Sequence, residues 1–180
     1  VAIYGAGLQL GARKGLTEPA SRDYAAELIN RIQRNVKVMD KSGRESVTTF
    51  ERGVGDVIVT YENELLPRIA QGRPYELVYP PETVVVENPI ALVDRHADRH
   101  QVRDIAETFI AFLHGPEAQQ AFAEFGFRPT NAAIATSTAA AFAHPPHIFT
   151  IASLGGWDHV FAALFSPRGA WTRAVEARDR

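Results

Sequence analysis

Apolar positions recur along this chain at two spacings, and the spacings divide it into helices and strands. From Thr17 to Asn35 a helix is predicted, with Tyr24, Leu28, Ile29 and Ile32 on one face. Thr17 or Ser21 can cap it, and Pro19 suits its first turn. The same period runs from His100 to Leu113 through Val102, Ile105, Phe109 and Phe112. Pro116 opens a further helix that carries Phe122 and Phe125 and stops at Gly126. Asn131 to Phe142 is alanine-rich and reads as helical, and Gly155-Gly156-Trp157 leads into a helix with Val160, Phe161, Leu164 and Phe165. Pro167 starts the last one. Val1 to Gly15 is helical too. Its Gly5, Gly7 and Gly11 weaken a lone helix but suit close packing against a neighbour.

Short β-branched runs mark strands at Val36–Met39, Asp56–Tyr61, Tyr75–Tyr79, Thr83–Glu87 and Ile90–Val93. Pro80-Pro81 divides the third from the fourth. Strands alternating with helices are the grammar of an open α/β sheet, whose ligands bind in loops at the carboxyl ends of strands.

The stretch from Asp40 to Glu64, DKSGRESVTTFERGVGDVIVTYENE, concentrates these signals. Asp40, Ser42 and Gly43 are turn formers. Ser46 is expected to cap a short helix through Glu51 and Arg52, stopped by Gly53 and Gly55. A buried strand, Asp56–Tyr61, follows, and Glu62-Asn63-Glu64 reads as the acidic first turn of a helix running to about Ala70, with Pro67 as a kink. Ser42-Gly43 and Tyr61 each precede a helix N-terminus, where backbone N–H groups point outward and the dipole favours negative charge. A small-anion site is the reading these residues support.

At these residues the chain resembles the carboxyl-terminal part of the sulfate-binding proteins of ABC transporters, which are type II periplasmic binding proteins. The resemblance rests on Ser42-Gly43-Arg44, Thr49-Phe50, Arg52-Gly53-Val54-Gly55-Asp56-Val57 and Tyr61-Glu62-Asn63-Glu64. It continues through Glu87-Asn88-Pro89, Phe127-Arg128-Pro129 and Gly155-Gly156-Trp157. It implies two lobes with open mixed sheets flanked by helices, and a sulfate or similar oxyanion held between them by neutral hydrogen-bond donors. Ser42, Gly43 and Tyr61 are the implied anion contacts, with Arg44, Glu62 and Asn63 behind them. Where many members have tryptophan, this chain has Tyr61. Where they have Gly-Ala-Arg-Gly, it has Ser42-Gly43-Arg44-Glu45. The implied partner is the membrane permease of an ABC importer, and the implied location is periplasmic or extracytoplasmic. Carried over, residues 1–60 belong to the second lobe, 61–126 to the first after a crossing at Tyr61, and 127–180 brace the second. Members are about twice this length, so the chain is expected to be a piece lacking the N-terminal half, its export signal and a Ser-Gly-Gly anion loop.

Composition narrows the alternatives. A net charge of −2 gives no nucleic-acid footprint, yet local N–H groups bind anions without net positive charge. The chain has no cysteine, which removes disulfides and thiolate chemistry. No apolar run reaches transmembrane length, so membrane insertion by this chain is not expected. Catalytic and nucleotide-loop motifs are missing, and no cofactor or enzyme activity is expected. His96 and His100, spaced i, i+4 beside Asp94 and Asp98, read as a solvated turn rather than a metal site. Arg52, Asp56, Glu62, Glu64 and Arg128 read as helix-end charges and ion pairs. Thiosulfate or molybdate is the rival ligand, and the effector domain of a transcription regulator is the rival role for the same fold.

Overall fold

A computed structural model describes residues 1–178. In chain order its regular elements are α1 (Ala2–Arg13), α2 (Glu18–Gln33), α3 (Gly43–Glu51), α4 (Glu62–Ala70), β1 (Glu82–Val84), α5 (Asp94–Arg99), α6 (Arg103–His114), α7 (Pro116–Glu124), α8 (Ala132–Ser137), β2 (His147–Phe149), α9 (Gly156–Leu164) and α10 (Ala170–Arg178). They form two compact units. One comprises Val1–Met39, Val78–Val86 and the chain from His144 onward; the other comprises Asp40–Leu77 and Glu87–Ala143.

The first unit is built on the antiparallel pair α1 and α2. Gly7 lies against Ala25 and Gly11 against Ser21, so closely that a Cβ at Gly7 would stand 2.6 Å from the Ala25 Cα. The glycines predicted to weaken α1 are therefore what lets α2 approach it. Tyr4, Ala25 and Ile29 then join Val160 and Leu164 of α9 and Ala170 and Ala174 of α10 in one core. Strands β1 and β2 pair in parallel, Glu82 opposite His147 and Val84 opposite Phe149. Hydrogen bonds from His147 N to Pro81 O (3.1 Å) and from Val85 N to Phe149 O (2.9 Å) extend the ladder. Helix α1 packs on β1, where Arg13 forms an ion pair with the buried carboxylate of Glu82. A buried carboxylate needs such a partner.

In the second unit, polar side chains hold short helices together. Gln119 of α7 is buried and works in both directions. Its Nε2 donates to Leu113 O (2.7 Å), and its Oε1 accepts from Thr130 N (2.6 Å) and Asn131 N (3.2 Å). Asn131 caps α8 by accepting from Ala133 N and Ile134 N. Arg103 opens α6 and reaches back to Asp94 (2.7 Å) and Asp98 (2.8 Å) on α5.

Several expectations are corrected here. The helix predicted over His100–Leu113 begins at Arg103, because Gln101 has φ 51° and breaks the chain after α5. The stretch from Asp94, read as a turn, is a short helix closed by the Arg103 ion pairs. Pro167 precedes α10 rather than starting it. Val36–Met39, Asp56–Tyr61, Tyr75–Tyr79 and Ile90–Val93 form no ladder among the described residues. A strand exists only through its partner's hydrogen bonds. Val57 and Val59 are 82% and 77% exposed, so the β-branched run is not the buried strand expected. The fold is nonetheless of the α/β class expected, richer in helix and with a two-stranded sheet among the described residues.

The α1–α2 contact yields a stability prediction. In an ordinary helix interior, Gly→Ala gains about 0.5–1 kcal/mol. At Gly7 the added carbon meets backbone, which cannot yield as a side-chain tip can. Overpacking of that kind costs about 1–3 kcal/mol. Gly7→Ala is therefore expected to lower the urea midpoint, and a midpoint at or above that of the wild type would refute the close-contact account.

Candidate functional site

Helix α3 starts one turn earlier than the sequence suggested. Ser42, not Ser46, is its cap. The Ser42 backbone is extended, its Oγ accepts from Glu45 N (3.2 Å), and its carbonyl accepts from Ser46 N (3.0 Å). Glu45 Oε2 in turn accepts from Lys41 N (3.0 Å). This is nearly a capping box: the serine satisfies a first-turn amide, and the glutamate reaches back over the start of the helix. Helix geometry leaves the Gly43 and Arg44 amides without an intrahelical acceptor. They point out of α3 where its dipole is positive.

The start of α4 lies against the start of α3. Thr60 Oγ1 donates to Gly43 O (3.1 Å). A Cβ at position 43 would stand 2.9 Å from Thr60 Oγ1 and 2.9 Å from the Tyr61 ring. The absence of a side chain at Gly43 is what lets the aromatic ring cover the first turn of α3. Tyr61 is the N-cap residue of α4, is half-exposed, and its hydroxyl has no hydrogen-bond partner among the described residues. Ser42, Gly43 and Tyr61 are thus brought together: two helix starts, outward amides and one phenolic donor.

Beside them lies an open cleft of about 370 Å³ whose walls include Arg44, Asn63, Glu64, Arg68, Phe125 and Phe127. Glu64 is 8% exposed. Arg44 Nε lies 3.6 Å from its Oε1 and Arg68 Nη1 3.1 Å from its Oε2. Arg68 also donates to the Glu64 carbonyl, and its Nε lies 4.0 Å from Glu51 Oε1 at the far end of α3. Tyr75 donates to Glu51. Glu62 takes no part in this chain of charges. Its two oxygens accept from Arg128 at 2.5 and 2.9 Å, and Arg128 also donates to Ala143 O (2.7 Å) and lies 5.1 Å over the Phe142 ring.

Of the six residues singled out in the sequence, five therefore converge, and Glu62 is committed to Arg128. Sequence reading missed Thr60, Arg68, Phe125 and Phe127. The i, i+4 spacing of Glu64 and Arg68 was a usable signal. Nothing marked Thr60 as more than a strand residue. Among the described residues no group of three or more His, Asp or Glu is placed to hold a metal ion. No helix among them is long and apolar enough to cross a membrane.

The sequence profile of the family described as bacterial extracellular solute-binding protein matches residues 8–128, a span that includes α3, α4 and the loop between them. The chain belongs to this family. It is similar to the sulfate-binding protein of Synechococcus elongatus, 34% identical over 170 residues that make up 93% of this chain and 49% of that protein. It is 34% identical to the sulfate-binding protein of Escherichia coli (strain K12) over 82% of this chain and 46% of that one. The thiosulfate-binding protein of the same strain is 26% identical over 93% of this chain and 48% of its own length. Among solved structures, the sulfate-binding protein SubI from Mycobacterium tuberculosis H37Rv superposes with a TM-score of 0.70 at 34% identity, covering 91% of this chain and 55% of that one. The chain spans about half the length of the relatives it matches.

The charge chain behind the cleft makes an alkaline prediction. The hydrogen bond to Glu51, helped by partial desolvation, raises the Tyr75 pKa above the ordinary tyrosine value. A phenol whose folded pKa is raised contributes stability below its unfolded pKa of about 10 and loses it as pH rises through the folded value. Tyr75→Phe should abolish a late-ionising component of the tyrosinate absorbance titration and flatten the fall of stability above pH ~10. A titration that loses only an ordinary tyrosine would refute this.

Proposed function

We propose that this chain is part of an extracytoplasmic protein that binds sulfate or a similar oxyanion and presents it to the membrane permease of an ABC importer. The observation that carries the reading is the meeting of the α3 and α4 starts at Gly43 and Tyr61, in a chain whose relatives carry the names sulfate-binding and thiosulfate-binding. On this reading the Gly43 or Arg44 amide and the Tyr61 hydroxyl donate to the anion, and Ser42 acts through its cap rather than by contact. The remaining donors come from the part of the fold that these 180 residues do not span, and the bound anion lies between two lobes that close on it. Neutral donors and helix dipoles spread a dianion's charge without a cation in contact. The thiosulfate-binding relatives support thiosulfate as the second ligand.

The protein is then a carrier, and its selectivity follows from protons. Sulfate near neutral pH only accepts hydrogen bonds. Phosphate keeps a proton that must be donated, and a site lined with donors leaves that proton facing another donor. Titration calorimetry on the full-length protein should therefore show sulfate binding and phosphate rejection by orders of magnitude. Comparable affinities would refute the donor-only site and point to the Glu45 carboxylate as the missing acceptor. In the same assay Tyr61→Phe should weaken sulfate binding by about 1.5–3 kcal/mol, the range for a hydrogen bond to a charged group. An unchanged affinity would leave Tyr61 with packing alone.

A further inference from the structure

Arg44 is the second residue of α3, directly after Gly43, and its side chain is 78% exposed. A guanidinium on that stem, next to the outward amides, is a strong competitor for any oxyanion bound there. In the structure it is turned towards Glu64 of α4, 3.6 Å away. Glu64 cannot follow it into solvent. It is buried, and Arg68 of the next turn holds its other oxygen at 3.1 Å. Arg68 in turn lies between Glu64 and Glu51. Both arginines at the cleft are thus committed to carboxylates, and neither is directed by its ion pairs at the Gly43 amide.

We propose that Glu64 is a specificity-determining residue that masks Arg44, so that an anion at Gly43 and Tyr61 meets neutral donors and not a cation. This rests on the anion-binding reading above. The exposed side of the pair contributes little to stability, because solvent screens it. Its effect is on the field: with Glu64 neutral, a mobile guanidinium sits within reach of the site. Glu64 touches no anion itself and acts by positioning charge.

Salt separates the two situations. Contacts from neutral, short-range donors change little with ionic strength, whereas an exposed cation attracts the anion through a screened field. Sulfate affinity of the full-length protein would be measured by calorimetry from about 10 to about 150 mM sodium chloride, over which the screening length falls from about 30 to about 8 Å. Glu64→Gln is expected to bind sulfate with a fall across this range about threefold or more larger than that of the wild type. Adding Arg44→Gln to it should remove the excess, and Glu64→Asp, which keeps the carboxylate, should not show it. A purely structural role for Glu64 would lower affinity equally at every salt concentration, and that result overturns the proposal. Where Glu64→Gln fails to fold by circular dichroism, Arg44→Gln alone still decides. Its salt dependence matches the wild type if the guanidinium is masked and flattens if it touches the anion. A wild-type protein that binds no sulfate at all would instead overturn the function proposed above.

Discussion

The hydrogen atom at Gly43, where other residues have a side chain, is the constraint on which the candidate site depends. The α4 start is pressed against the α3 start there, Thr60 bonding to the Gly43 carbonyl and the Tyr61 ring lying where a Cβ would stand. Any larger residue has to displace Tyr61, the half-exposed partner, before it disturbs the helices. The ion pairs around Glu64 act on the same contact from behind. They join the second residue of α3 to the third of α4, and Arg68 returns the connection to Glu51 at the end of α3. Two nine-residue helices, too short to be stable alone, are therefore fixed at both ends.

Carboxylates are treated differently in different parts of the molecule. Glu82 and Glu64 are buried, and each faces arginine. Asp94 and Asp98 are exposed and close a helix break by sharing Arg103. The buried pairs would be costly to break, since removal of the arginine leaves a desolvated charge, while the exposed ones contribute through geometry more than energy.

Helices were legible in the sequence because everything that makes them is local. Start and stop at α2 and α7, and the start of α9, agree with the structure to within a residue or two. The cap of α3 was misplaced although its signal was present: Ser42 and Glu45 are spaced as a capping box, and Ser46 has no glutamate three residues on. Strands were less legible: the run predicted over Thr83–Glu87 overlaps β1, but the other four predicted runs form no ladder among the described residues. The run from Val57 to Val59 is β-branched and extended in pattern, but a ladder also needs a partner, which no local pattern reports. The site shows the same split. Gly43 and Tyr61 stand out through what surrounds them in sequence, whereas the burial of Glu64 and the Thr60 bond arise from tertiary contact.

The two compact units are interleaved along the chain, and this has a consequence for how they are made. Residues 40–77 and 87–143 form one unit, while the other needs α1 and α2, β1, and finally β2, α9 and α10. A ribosome releases the second unit's segments before it releases the last parts of the first. The α1–α2 hairpin can form early, with its close glycine contact, but Tyr4 and Ile29 stay uncovered until Val160 and Leu164 emerge. The β1–β2 ladder likewise waits for a strand more than sixty residues downstream, at the entropic cost of closing that loop. During synthesis the first unit is therefore a docked pair of helices with an open apolar face, and its completion is late, non-local and the step most open to misassembly.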